Sequence, residues 1–205
     1  MPRLLILAGA LWIAVAAADQ LVTYLAGLRF DKFFWSPFVF GPLELAALGA
    51  LATTVAVTLY QVATRRLAVK WGFVAAAMPV VAFLAIWFPL ATFTDGLRHG
   101  VQTRLTAEQL FLLADDVRQQ PIERFPFEQY ESQVAVLRAR HDDVFALSPG
   151  IPRVSADHGR VELVYGSGLI KHWGIAFSAS CPRDYLQQDS CQEAYPGIWV
   201  YADIY

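Results

Sequence analysis

Few residues in this 205-residue chain are of a type that does chemistry, and spacing sorts most of them. The four histidines, His99, His141, His158 and His172, lack the H-E-x-x-H spacing that sets two imidazoles on one helix face around a metal. No G-x-S-x-G elbow, phosphate-binding loop or dinucleotide fingerprint occurs. Gly166-Ser167-Gly168 frames a serine, but a hairpin turn accounts for the same residues. His141-Asp142-Asp143 reads as a solvated helix end. Asp157-His158, in a loop before a strand, is the best enzymatic pair, since an Asp-oriented histidine can serve a nucleophile. No motif supplies that nucleophile. The expectation is therefore no catalytic residue, no metal and no cofactor.

Cys181 and Cys191 are the only cysteines. Two thiols make half a zinc site, and no fitting ligands accompany them. They are not spaced C-x-x-C, so a thioredoxin-like site is not expected. In an oxidising compartment the simplest expectation is a disulfide closing a short loop. Two carboxylates stand out for another reason. Asp19 and Glu44 lie inside apolar stretches, where an acid is costly and is a functional candidate by default. The plainer alternative is an interfacial carboxylate, paired or wet, and that alternative also covers Asp95.

The elements that must position these residues follow from hydropathy. The chain is 56% apolar and only 17% charged, against about 25% charged in soluble domains. The imbalance is local. Residues 1–95 carry six Lys/Arg and four Asp/Glu, and residues 96–205 carry ten and fourteen. This excludes a wholly soluble enzyme, a disordered chain and a basic nucleic-acid binder. Apolar runs over about 4–28, 38–63 and 71–94 approach or exceed the roughly 20 residues a helix needs to cross a bilayer. They predict a three-helix transmembrane domain over 1–95. Met1-Pro2-Arg3, the apolar run from Leu4 and Ala16-Ala17-Ala18 also fit a cleaved signal peptide over residues 1–18.

Arg65, Arg66 and Lys70 make the most basic short loop, which places that loop in the cytoplasm. The N-terminus is then cytoplasmic, and residues 96–205 are periplasmic or extracellular. Arginine outnumbers lysine 13 to 3, a composition expected of a GC-rich bacterial genome. The bacterial inner membrane is thus the expected location. Ala46, Gly49, Ala50 and Thr53 share one face of the second helix, where small residues let another helix approach. That helix is either a neighbour in the chain or another subunit.

Residues 96–205 read as a small α+β domain. Thr106 and Gln109 fit a capping box opening a helix over 106–119. A second helix begins near Pro126 and fades near Asp142. Alternation over 160–165, over 173–177 and over 197–204 predicts a three-stranded antiparallel sheet. On the last strand Ile198, Val200, Ala202 and Ile204 face one way, and Trp199, Tyr201, Asp203 and Tyr205 the other. The aromatic face is expected to project as a partner-binding anchor. A second core layer or a membrane contact is the alternative.

The function expected from these residues is a non-catalytic accessory or assembly subunit of a membrane complex. Its partners would be lipid and other membrane or periplasmic proteins, with no nucleic acid. The alternatives are an immunity or sensor protein that captures a periplasmic toxin or ligand, and a membrane-anchored periplasmic enzyme.

Overall fold

The structure is a computed structural model that describes residues 2–30, 36–87, 92–119, 127–148, 150, 152–157, 160–167, 171–181 and 191–204. The chain divides into two compact units. One takes residues 1–23 and 33–91, the other residues 24–32 and 92–205.

The first unit contains three apolar helices: most of α1 (Pro2–Leu28), α2 (Ser36–Ala63) and α3 (Val69–Trp87). Helices α1 and α2, of 27 and 28 residues, are long and apolar enough to cross a membrane. The third helix differs from expectation. It has 19 residues and ends at Trp87, and a separate helix begins at Phe93. The core of this unit is thin, built from Leu5, Ala8 and Trp12 of α1, Ala47, Leu51 and Val55 of α2, and Ala75 and Ala82 of α3. Most other large apolar side chains point outward. Leu7, Leu45 and Phe73 are 62%, 71% and 74% exposed, which suits a helix bathed in hydrocarbon rather than water.

The second unit is two-layered. Helices α4 (Phe93–Arg104), α5 (Ala107–Gln119), α6 (Phe127–Arg140) and α7 (Asp142–Phe145) accompany five strands. These are β1 (Arg153–Asp157), β2 (Arg160–Ser167), β3 (Lys171–Phe177), β4 (Cys191–Tyr195) and β5 (Ile198–Ile204). The sheet is antiparallel, in the order β1-β2-β3-β5-β4. The expected three strands correspond to β2, β3 and β5. The two that alternation missed are the edges. An edge strand buries little, so β1 offers only Val154 to the core among its aliphatics and β4 only Ala194. Likewise two helices were expected where four form among the described residues. Helix α4 was hidden at the end of the third apolar run, and α7 is a single turn.

The core joins Leu97, Val101, Leu110, Leu113, Val117 and Leu137 of the helices to Val161, Leu163, Trp173, Ile175, Phe177, Ile198 and Val200 of the sheet. The Thr106 capping box forms as its spacing predicts. The Thr106 N–H donates to Gln109 Oε1 at 2.8 Å, and the Gln109 N–H to Thr106 Oγ1 at 3.3 Å.

Candidate functional site

Three places gather the residues of interest. The first is the seam between the end of α1 and α4, both within the second unit. A Cβ added at Gly27 would overlap the Phe93 carbonyl oxygen, and one at Gly96 the Tyr24 carbonyl oxygen. At Gly100 it would stand 2.6 Å from the Leu28 oxygen. Backbone meets backbone here, and only glycine allows it. Polar contacts flank the seam. Tyr24 and His99 Nδ1 share a hydrogen bond of 2.9 Å. Arg104 donates to the Leu28 oxygen at 3.0 Å and to the Leu147 oxygen at 3.2 Å, so it satisfies a carbonyl at the C-terminus of α1. Phe30 is fully buried, with its ring edge-on to Tyr165 at 4.9 Å. Sequence reasoning missed this seam. Its signal was Gly96-x-x-x-Gly100, a spacing that puts two glycines on one helix face.

Asp95 belongs to this helix, not to the end of a membrane span. It is the N3 residue of a capping box: the Thr92 N–H donates to Asp95 Oδ2 at 2.8 Å and the Asp95 N–H to Thr92 Oγ1 at 3.1 Å. Gln192 of β4 donates to Asp95 Oδ1 at 2.9 Å. Burial alone would raise the Asp95 pKa. Hydrogen bonds from Thr92 and Gln192, and the charge of Arg98, outweigh it and hold the carboxyl below the usual range.

The second place is the sheet face away from the helices. Cys181 and Cys191 are joined in a disulfide with 6.3 Å between Cα atoms. The expected outward projection of Tyr201 is corrected by its burial, which is complete. It forms a small second core with Ala176 and Cys191, against which Cys181 and Trp199 pack. Gly174 makes room for it: a Cβ there would lie 2.9 Å from the Tyr201 hydroxyl. Trp199 is partly buried, and its Nε1 donates to the Ser178 oxygen at 3.1 Å. Tyr205, like His158, lies outside the described residues.

The third place is the helix unit. Ala46, Gly49, Ala50 and Thr53 are all exposed, and nothing lies within 4 Å of a Cβ built on Gly49. The adjacent face, through Ala47, Leu51 and Val55, does the internal packing. Thr53 Oγ1 donates to the Gly49 oxygen at 2.8 Å, within its own helix. Asp19 and Glu44 come near enough for their charges to interact. Arg65, Arg66 and Lys70 are exposed, and Arg65 takes a left-handed conformation with φ 59° where α2 ends.

His141, expected at a solvated helix end, is instead engaged. Its Nε2 donates to Asp116 Oδ2 at 2.9 Å, and Arg140 lies 3.6 Å from the same oxygen. The His141 hydrogen bond holds the Asp116 carboxyl below its ordinary pKa. Burial pushes the Tyr165 phenol up; its hydroxyl donates to the Val144 oxygen at 2.8 Å. No group of three or more metal-ligating side chains forms among the described residues. No family model, curated protein or solved structure matches the chain.

Proposed function

We propose that this protein is a bacterial inner-membrane subunit, anchored by three helices, whose α2 face and extracytoplasmic α+β unit bind partner proteins of a membrane complex. Membrane parity supports the anchor. The residues that end α1 and those that begin α4 belong to the same unit, so the chain between them must cross an even number of times. If α2 spans, α3 spans back. Its 19 residues reach about 28 Å at 1.5 Å per residue, close to the hydrocarbon thickness of about 30 Å. The basic loop at Arg65, Arg66 and Lys70 supports a cytoplasmic hairpin tip, and the disulfide suits an oxidising outer side.

The observation that carries the partner role is the open face of α2. Many outward positions of the helices carry Leu, Val, Ile or Phe, and others carry exposed alanines such as Ala10, Ala14 and Ala17 of α1. On α2, Ala46, Gly49, Ala50 and Thr53 offer a shallow, exposed strip around an open glycine that another helix backbone can approach. A photo-crosslinking residue at Ala50, activated in intact membranes, tests this. We expect one discrete protein adduct, lost in Gly49→Leu while protein abundance and the melt of the α+β unit stay unchanged. Adducts to lipid alone, with a monodisperse monomer in mild detergent, would sink the partner role. Modification of Lys70 by an impermeant amine reagent in intact spheroplasts would reverse the orientation.

A further inference from the structure

The two edges of the sheet are not alike. Strand β4 is capped by α4: Gln102 Nε2 donates to the Ala194 oxygen at 2.7 Å, and Gln192 donates to Asp95. Strand β1, at the other end of the order, pairs with β2 alone. An edge of this kind is a row of backbone donors and acceptors on which another strand can pair.

Hydrogen bonds fix which residues of β1 look outward. The Val154 N–H donates to the Tyr130 hydroxyl at 3.0 Å, and that hydroxyl donates to the Val154 oxygen at 3.4 Å. Both backbone groups of Val154 thus turn away from β2. Direction alternates along an antiparallel ladder, and the β1–β2 register is unbroken from Arg153 to Asp157. The N–H and C=O of Ala156, an exposed residue, therefore turn outward as well. Pro152 has no N–H to offer, so the open edge stops there. The Tyr130 hydroxyl accepts from and donates to one residue, as the peptide of a neighbouring strand would. It holds the place of a strand at Val154.

The edge is complementary to itself. A twofold axis through Ser155 sets Val154 opposite Ala156 of a second copy, and Ala156 opposite Val154 of that copy. These are the residues whose groups look outward, so each such pair can exchange two hydrogen bonds. The same axis sets Arg153, which is exposed, opposite position 157, an aspartate, at both ends of the strand. Opposite charges at opposed positions favour a strand pair, and like charges disfavour it. On the β2 side, Arg160 stands opposite Asp157 in the register and is held by Glu162. Moving the axis to Val154 would set Ala156 against Pro152 and Arg153 against Ser155, which loses both matches.

We propose that β1 is the interface of a homodimer in which two copies join this strand antiparallel about Ser155, making one continuous sheet. The Tyr130 hydroxyl yields its place at Val154 to the peptide group of Ala156 from the second copy. The proposal rests on the β1 edge and not on the α2 face, so either can fail without the other.

The test uses the full chain in mild detergent. Its two cysteines are already joined, so one added cysteine reports alone. Ser155→Cys should give a disulfide-linked dimer on mild oxidation. Opposed Cα atoms at such a non-hydrogen-bonded pair lie about 4.5 Å apart, within the reach of a disulfide. Ala156→Cys, one position along, meets Val154 and should cross-link several-fold more slowly. Ala156→Pro removes an outward N–H and spares the β1–β2 ladder, and should sediment as a monomer. Arg153→Asp should weaken dimerisation by roughly tenfold, and adding Asp157→Arg should restore it. Tyr130→Phe should raise the dimer fraction, whereas a hydroxyl that only caps the edge would leave a monomer. A wild-type monomer with no Ser155→Cys dimer, or equal cross-linking from the two cysteine variants, overturns the proposal. So does a dimer that Gly49→Leu abolishes and Ala156→Pro leaves intact. If Ala156→Pro fails to fold, the two cysteine variants decide alone.

Discussion

The two units use glycine in opposite ways. In the α+β unit Gly27, Gly96 and Gly100 are closed: each lets one backbone rest on another, and a methyl group would collide with a carbonyl. In the helix unit Gly49 is open, with nothing within 4 Å of the missing Cβ. The same contrast runs through the aliphatic residues. Leu97, Leu110, Leu113 and Leu163 are fully buried, whereas Leu7 and Leu45 are mostly exposed. Water drives the first set inward. In the proposed membrane setting the second set meets lipid, which is as apolar as leucine and exerts no such drive, so side-chain volume and backbone fit decide what packs. In that setting an open glycine such as Gly49 is informative in a way that an exposed leucine is not.

The sharpest way to break this contrast is to fill both kinds of glycine. Gly96→Ala should destabilise the α+β unit by about 3 kcal/mol, the upper range for overpacking a filled site, and proteolysis of the purified chain should accelerate. Gly49→Ala should leave the melt within about 0.5 kcal/mol of the parent. Equal effects at the two positions would erase the distinction. Next in size is the disulfide. Cys191→Ser opens a cross-link of sequence separation 10 and should cost about 2–3 kcal/mol by denaturant titration, with no loss in the apolar helices. Thr92→Ala removes the N-cap of α4 and should cost about 1 kcal/mol, read as a lower melting temperature of the same unit.

The smallest effect is one of pH. Asp95 and Asp116 have carboxyls held below their ordinary range. Their contribution is fully present above the unfolded value, about pH 4, and is lost as pH falls through the lowered folded value. Asp116→Asn should flatten the acid limb of the stability profile, measured as melting temperature against pH. An unchanged limb would mean that the His141 contact contributes nothing measurable.

Local pattern made part of this architecture legible. The runs of α1 and α2 announced two helices of spanning length, because apolarity over 20 residues needs no knowledge of neighbours. Thr106 and Gln109 announced α5, since a capping box is closed within four residues. The cysteine pair announced its disulfide by being the only pair. The edge strands were illegible because Arg153–Asp157 and Cys191–Tyr195 have little apolar face to alternate. Helix α4 was read as the tail of an apolar run, although Thr92-x-x-Asp95 carried its cap.

Tyr201 shows the limit of strand parity. Alternation placed it correctly on the face opposite Val200, yet parity does not say whether a face is covered, and this one is. Gly166 shows the reverse: parity itself fails at the bulge after Val164, and only the paired strand reveals the shift. By itself, then, the sequence determined what can be computed along a few turns of chain: hydropathy, caps, the basic loop and the cysteine count. Tertiary structure decided which glycines are closed, which faces are covered and which distant residues stand in one row. Those depend on contacts between segments as far apart as Gly27 and Gly96, or His172 and Asp203. No local periodicity encodes the register or the distance at which such segments meet.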